Sequence, residues 1–435
     1  MSKDNDPQTA PQTASSRQMC FRLSVMMFLQ YFVQGCYLPI VSVYLEEALG
    51  FNKSQIGDFG SALAVGPLLA PFILGQLVDR RFATQYVLCF CHLSGGIVML
   101  ALYFQQAYWP VVVLGSLYSV LYVPSMMLTN SLAFHHLKNQ EREFPIVRLW
   151  GTIGFICPAW LIERVLLRGV TGDALNDGRG IALAAAGVGG ILMAVYSLTL
   201  PHTPPHREAR QRFAPAVALG LIWQRRFLVL VFITFLVAIV HKFYFVLNAP
   251  FLKAILRDGG IEGAWEGSIS SLGQIAEIGV MAGLGILMAR AGFKYTIALG
   301  AAAYLLRCLV FAGAYAADLP FAMTMTIVCC GQLLHGFCFG CFMAAAFMFI
   351  DRTTPADVRG SVQNLYGTFV IGAGFFAGGF IAGRVAEAFK TGTGEQAAYD
   401  WTSIWLTAAA LAAFCVVTFL LAFPQQRLEA GDESA

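Results

Sequence analysis

The stretch Phe144-Pro-Ile-Val-Arg148-Leu-Trp-Gly-Thr152-Ile-Gly-Phe155-Ile156 sets one arginine into an almost wholly apolar run that continues to Ile162. Pro145 fits the first turn of a helix, where a backbone donor is unpaired anyway, so the stretch is expected to open a helix with Arg148 about one turn inside it. An arginine facing lipid near the middle of such a helix costs roughly 2.5–3.5 kcal/mol on insertion scales. Arg148 is therefore expected to face protein or water. With Thr152 and Phe155 it occupies positions i, i+4 and i+7, a single stripe. A guanidinium, a hydroxyl and an aromatic ring in line suit a polar ring ligand. The bland alternative is that Arg148 snorkels to the headgroups and Thr152 bonds its own helix backbone.

Composition carries this reading to the whole chain. Of 435 residues, 57% are hydrophobic and only 12% charged, and the mean hydropathy is +0.66. That is too little polar surface for a soluble globule of this size, so the expected class is an all-α integral membrane protein in contact with lipid. The net charge is +3 and the basic residues are scattered through short loops, which leaves no nucleic-acid footprint. The 11 cysteines lie mostly in apolar segments and read as small hydrophobes. Cys89-Phe-Cys91-His92 and Cys338-Phe-Gly-Cys341 mimic metal spacings without a complete ligand set, so neither a metal nor another cofactor is expected. No G-x-S-x-G, H-E-x-x-H or phosphate-binding glycine loop is present to suggest an enzyme.

Helix-length apolar segments fall near 20–46, 55–78, 84–105, 109–134, 146–167 and 180–200, then near 227–251, 266–289, 294–316, 320–350, 359–388 and 402–423. The expected organisation is a cytoplasmic tail (1–17), an N-terminal six-helix bundle (18–200), a proline-bearing basic linker (201–226), a C-terminal six-helix bundle (227–423) and a second tail (424–435). With both termini inside, one face collects Lys3, Arg17, Arg80, Arg81, Lys138, Arg142, Arg290, Lys294, Arg352, Arg359 and Arg427, and the other only a handful. The lysine and arginine bias therefore places both termini in the cytoplasm.

The halves echo one another. Gly75-Gln-Leu-Val-Asp79-Arg80-Arg81 after the second segment reappears as Gly285-Ile-Leu-Met-Ala289-Arg290 after the eighth. Leu149-Trp-Gly151-Thr152 in the fifth reappears as Leu365-Tyr-Gly367-Thr368 in the eleventh. Two matches in order at nearly equal offsets indicate a duplicated six-helix unit. An even number of spans per unit makes the repeat parallel, the transporter arrangement in which halves rock about a solute held near the midplane.

Gly75 to Arg81 resembles the loop signature of the major facilitator superfamily, which implies a conformational latch at Gly75, Asp79 and Arg80. The run from Phe144 to Phe155 resembles the fifth-helix motif of the nucleoside:proton symporter family, the bacterial nucleoside and xanthosine permeases. The similarity extends to Phe-Leu-Gln30, to Pro124 through Asn130, to Leu198-Thr-Leu-Pro-His, to Gln274-Ile-Ala-Glu277 and to Arg359-Gly-Ser-Val-Gln363. The resemblance implies a major facilitator fold of about twelve spans and a nucleoside cavity lined by Arg148, Thr152 and Phe155. It also implies base or sugar contacts from Gln274 and Glu277, and an aromatic pair at His335 and Phe339, with histidine in the first place. The two polar residues of the seventh helix fall on His241 and Tyr244 or one position later. Where family members carry an acidic residue after the tenth-helix aromatic, this chain has Gly340.

The residues supply the matching chemistry. Phe155 and Phe339 offer ring faces, Gln274 and Arg148 offer bidentate donors, and Glu277 can accept hydroxyl protons. A sugar can use the same set. Glu277 is also the expected proton-coupling group, since an intramembrane carboxylate can exchange a proton as a cavity dries and rewets. His241 and His335 can share that task or simply hold helices together. Asp58 reads as a helix N-terminal dipole partner and Glu163 as a partner of Arg164 or Arg168. Gln30, Gln34, Asn130, Gln332, Gln363 and Asn364 can line the cavity or tie helices together. The expectation is proton-coupled nucleoside uptake by a monomer in a bacterial cytoplasmic (inner) membrane. The alternative is a carrier of the same fold for another polar solute such as a sugar or oligosaccharide.

Overall fold

In a computed structural model, residues 14–70, 82–204, 220, 223–355, 359–392 and 398–424 are described. Ten helices among them are long and apolar enough to cross a membrane. One of the ten, Glu266–Ala316, has 51 residues. At about 1.5 Å per residue it is more than twice as long as a hydrocarbon core of roughly 30 Å, so it must be two spans. They meet at Gly292, whose φ of 72° and ψ of 172° only glycine adopts without strain. These are the eighth and ninth spans. The helix Lys53–Ala62 stands where the sequence places the second; residues 71–81, which hold the expected latch Gly75, Asp79 and Arg80, lie outside the described residues.

The other spans follow the hydropathy closely. They are Arg17–Glu47 (first), Thr84–Tyr103 (third), Tyr108–His136 (fourth), Arg142–Leu166 (fifth), Gly172–Ser197 (sixth), Arg225–Asp258 (seventh), Phe321–Thr353 (tenth), Tyr366–Ala388 (eleventh) and Trp401–Ala422 (twelfth). A two-stranded antiparallel hairpin, Lys390–Thr391 with Ala398–Tyr399, joins the last two and is the one non-helical element among the described residues.

The fifth span begins earlier than its sequence suggests. Its helix is Gln140–Leu161, so Pro145 lies in its second turn rather than its first. The start is set by polar groups upstream: Asn139 accepts from the Arg142 amide at 3.2 Å, and the Glu143 carboxylate accepts from the Lys138 and Asn139 amides at 3.1 Å. These bonds satisfy the amide donors that every helix start leaves open.

Within the N-terminal half the first span packs on the fifth and sixth, and the third on the fourth and sixth. Within the C-terminal half the eighth and ninth pack on the tenth, the ninth on the twelfth, and the seventh on the eleventh. The halves meet where the second span packs on the eleventh and the fifth on the eighth. At the first of these contacts a Cβ on Gly57 or Gly379 would collide with the facing chain, and Ser61 Oγ donates to the Phe376 carbonyl at 2.7 Å. Small residues let the two backbones close.

Polar contacts between the halves gather at the end opposite the chain termini. Glu163 does not pair with Arg164 or Arg168. Its carboxylate crosses to the other half and caps the eighth span, accepting from the Gly267 and Ser268 amides at 2.7 Å and from Ser268 Oγ at 2.6 Å. The reason is that the first turn of a buried helix has open donors and a positive dipole end, which give a carboxylate more than a solvated arginine partner would. Arg164 is left to stack on Trp265, 3.5 Å from the ring centroid. Beside it Arg179 donates to Glu266 at 2.7 Å, with both side chains wholly buried. Asp58 is likewise not a dipole partner at a helix start: it sits inside its helix, pairs with Arg384 of the eleventh span and accepts from Tyr108 Oη at 2.6 Å. Together these contacts seal the far face.

Removing one member of a buried pair strands the other charge at a cost of roughly 3–5 kcal/mol, whereas removing both is often neutral. Arg179→Gln should therefore unseal this face, and Arg179→Met with Glu266→Met should reseal it. The reporter is a cysteine at Ala159, buried in this interface, in an otherwise cysteine-free chain. It should react with an impermeant maleimide far faster in the single variant, and at the wild-type rate in the double one. Equal labelling in all three would show that the pair does not hold the face shut.

Candidate functional site

The fifth and eighth spans, from opposite halves, present the residues expected to bind solute. Arg148 is half-buried, and its guanidinium lies over the ring of Tyr31 in the first span, 4.3 Å from the centroid. Tyr31 thus gives the cation a face to rest on without neutralising it. Gly151 makes room, since a Cβ there would lie 2.8 Å from Arg148 Nη1. Arg148 is therefore turned inward along the first span and does not snorkel. Thr152 and Phe155 follow on the same helix, both half-buried, and Phe155 packs beside Tyr31 in the apolar cluster of Leu23, Met26 and Met27.

Across the interface Gln274 is buried and Glu277 half-buried on the eighth span. The fifth and eighth spans pack on one another, and Arg148 and Glu277 form no ion pair among the described residues. A guanidinium and a carboxylate on two packed helices of opposite halves, with no ion pair between them, can each bind a polar solute.

The seventh and tenth spans bring His241, Tyr244 and His335 into one ring cluster. His335 stacks on Tyr244 with centroids 5.0 Å apart and lies 5.7 Å from His241, which stacks on Phe375 at 5.4 Å. His241 Nδ1 and Tyr304 Oη are 2.6 Å apart. Tyr244 Oη donates to Gln332 at 2.8 Å, Gln332 to Asn248 at 2.8 Å, and Asn248 to Ser270 at 2.7 Å. Phe339 sits in a wider turn, Cys338–Ala344, and is half-buried against the C-terminal core. Such wide turns favour functional positions because they break the regular helical register. Eight of the nine expected residues thus divide into an N-terminal stripe, a pair on the eighth span, and a ring cluster in the C-terminal half, while Phe339 packs on the C-terminal core.

Three of the six amides open to two readings tie helices together. Gln30 donates to Ser125 Oγ at 2.9 Å and lies 2.8 Å from His92 Nε2, so His92 is engaged inside the N-terminal bundle. Gln332 belongs to the C-terminal chain of amides above, and Gln363 donates to Asp351 at 2.9 Å.

Two intramembrane cations went unremarked in the sequence. Arg307 is buried, 2.9 Å from His335 Nδ1 through Nη1, with its guanidinium 4.2 Å from the Tyr244 centroid. Lys242 is buried beside His241, its chain lying against Gly60 of the second span and Gly378 of the eleventh. Each interrupts a long apolar run, the same signal that singled out Arg148.

A family model described as "Nucleoside H+ symporter" matches residues 17–427. The chain is 28% identical over 410 residues to the putative nucleoside transporter YegT of Escherichia coli, covering 92% of this chain and 93% of that one. To the nucleoside permease NupG of Escherichia coli it is 24% identical, covering 92% and 95%. A crystal structure of the nucleoside transporter NupG superimposes with a TM-score of 0.81 at 22% identity, covering 94% of this chain and 100% of that chain.

Proposed function

The chain belongs to the nucleoside H+ symporter family, and from that premise we propose that Arg148, Thr152, Phe155, Gln274, Glu277, His241, Tyr244, His335 and Phe339 form its nucleoside site, with Glu277 the proton carrier. It is a multi-pass transporter of the major facilitator type and not an enzyme. Its function is proton-coupled nucleoside uptake.

One observation carries the site assignment: Arg148 and Glu277 stand on spans of opposite halves that pack on one another, with no ion pair between them among the described residues. Alternating access requires a solute that both halves grip and that either half can release. An ionised Glu277 competes with the solute for the donors of Arg148. Protonation removes that competitor, so proton and nucleoside load together. Aromatic rings on either side, Phe155 and Phe339, suit a flat base, and Gln274 suits its amide edges or the ribose hydroxyls.

The sealed face, opposite the termini, is the outer one if the lysine and arginine bias sets orientation. On that orientation both termini lie in the cytoplasm, and we propose a monomer in a bacterial inner membrane. The test is uptake of a labelled nucleoside panel into transport-deficient cells. Accumulation should occur, collapse with a protonophore, and be displaced by unlabelled uridine or adenosine. Displacement by maltose instead would replace the nucleoside reading with a sugar carrier.

A further inference from the structure

We propose that Arg307 is a positioning residue that locks His335 as a neutral imidazole protonated on Nε2, so that His335 serves the nucleoside as a fixed hydrogen-bond donor and does not carry the coupled proton. The proposal rests on the site reading above in one respect only, that His335 contacts the solute.

The argument begins with the chemistry of the pair. A guanidinium has only donors, so when Arg307 Nη1 approaches His335 Nδ1 to 2.9 Å the ring nitrogen must be the acceptor. Nδ1 then carries no proton, and a neutral imidazole with a bare Nδ1 carries its hydrogen on Nε2. A second proton could enter only at Nδ1. It would break the bond and set an imidazolium against a guanidinium in a site where Arg307 is 1% and His335 2% exposed.

The groups around the pair offer no relief. The ninth span contributes Tyr304 and Cys308, the seventh contributes His241, Tyr244 and Lys242, and the tenth contributes Cys338. On the eighth span Glu277 adjoins the same helix contact, where a Cβ on Gly336 would lie 2.7 Å from the Glu277 amide. Glu277 is the one carboxylate of the set, and it forms no ion pair with Arg307 among the described residues. Arg307 is held instead by ring faces, 4.2 Å from the Tyr244 centroid and 5.3 Å from that of Tyr304, and its Nε is buried without a partner. A buried cation held this way is expensive unless it serves a purpose. The purpose that the geometry supplies is orientation: one guanidinium fixes the tautomer of His335 and rests on the Tyr244 ring on which His335 stacks. The ligand atom opposite His335 must then be an acceptor, such as a base carbonyl, an unprotonated ring nitrogen or a hydroxyl oxygen.

The decisive measurement reads the tautomer directly. The full chain, labelled with 15N-histidine and held in lipid bilayers without nucleoside, is examined by nitrogen NMR, and the His335 signals are identified by their loss in His335→Gln. They should report bare Nδ1 and protonated Nε2, unchanged between about pH 5 and 8, where an ordinary histidine titrates. A protonated Nδ1, or titration in that range, overturns the proposal. Binding gives the second readout. Arg307→Met frees Nδ1, so uridine affinity should fall roughly tenfold and acquire a pH dependence in addition to the one that Glu277 gives the wild type. Adding His335→Gln should erase that dependence. An Arg307→Met chain with the wild-type pH profile overturns the proposal even if its affinity is low, since a merely structural arginine would lower affinity at every pH alike. A wild-type chain that binds no uridine counts against the site reading, while the tautomer, measured without ligand, still decides this inference.

Discussion

Nucleoside binding should fall by roughly 30-fold or more in Arg148→Lys, with the protein still inserted and folded. The magnitude follows from what is removed: truncating one partner of a buried charged hydrogen bond costs about 2–5 kcal/mol, and each 1.4 kcal/mol or so is tenfold in affinity. Lysine keeps the charge but loses the planar fork of donors, so it cannot make a bidentate contact with a base edge or a pair of hydroxyls. Arg148→Ala should be at least as severe. The fold should survive both, because Arg148 is half-buried and rests on the Tyr31 ring, with no carboxylate left stranded. Tyr31→Leu provides a graded control. It removes the face that orients the guanidinium while leaving its donors, and a cation–π contact is worth only about 0.5–2 kcal/mol, so the loss should be severalfold. Equilibrium binding of labelled uridine to purified protein measures all three. Wild-type affinity in Arg148→Lys would remove Arg148 from the site.

How much of this was legible beforehand differs by level. Most spans were legible to within a few residues, because a lipid-length apolar run between polar loops has few ways to fold, while the sixth, seventh and eleventh differ by seven or eight residues at one end. The break at Gly292 could be placed too, since two segments were already separated by Arg290 and Lys294. Helix starts were less legible. Pro145 alone points to a first turn, because the sequence does not display that Glu143 folds back onto the Lys138 and Asn139 amides. Least legible were contacts between the halves. Glu163 lies beside Arg164 in sequence but bonds amides of residues 267 and 268 in space. Asp58 finds Arg384 from the far end of the chain. Local proximity favours neighbours in sequence, whereas a parallel duplication brings equivalent ends of distant helices together. Arg307 and Lys242 are a different matter: their signal was as plain as that of Arg148, a single cation in an apolar helix. What the sequence lacked was the pair of tyrosine faces and the histidine that receive Arg307.

The sharpest test of coupling is Glu277→Gln, which should abolish accumulation of nucleoside against a gradient while leaving exchange intact. Gln keeps the size and some of the hydrogen bonding of the carboxyl group but cannot titrate. A membrane potential of about 100 mV acting on one charge supplies roughly 2.3 kcal/mol, enough for approximately 50-fold accumulation if one proton accompanies each neutral solute. A carrier without a titrating group can only equilibrate the solute, so the expected loss is the whole of that ratio. Exchange of labelled for unlabelled nucleoside needs only a site that both halves can open, and should persist in proteoliposomes at saturating substrate. Saturation matters because the same carboxyl group can also bind ribose, and a weaker affinity must not be mistaken for uncoupling. The placement of Arg148 and Glu277 on packed spans of opposite halves adds a second signature. In the wild type an ionised Glu277 competes for Arg148, so binding should weaken as pH rises and the carboxyl group loses its proton. In Glu277→Gln the competitor is gone and binding should no longer weaken with pH. If Arg307 holds His335 as a fixed donor, His335 cannot restore coupling in the variant. Accumulation that survives Glu277→Gln and still collapses with a protonophore would put the proton elsewhere, with His241 the next residue to replace.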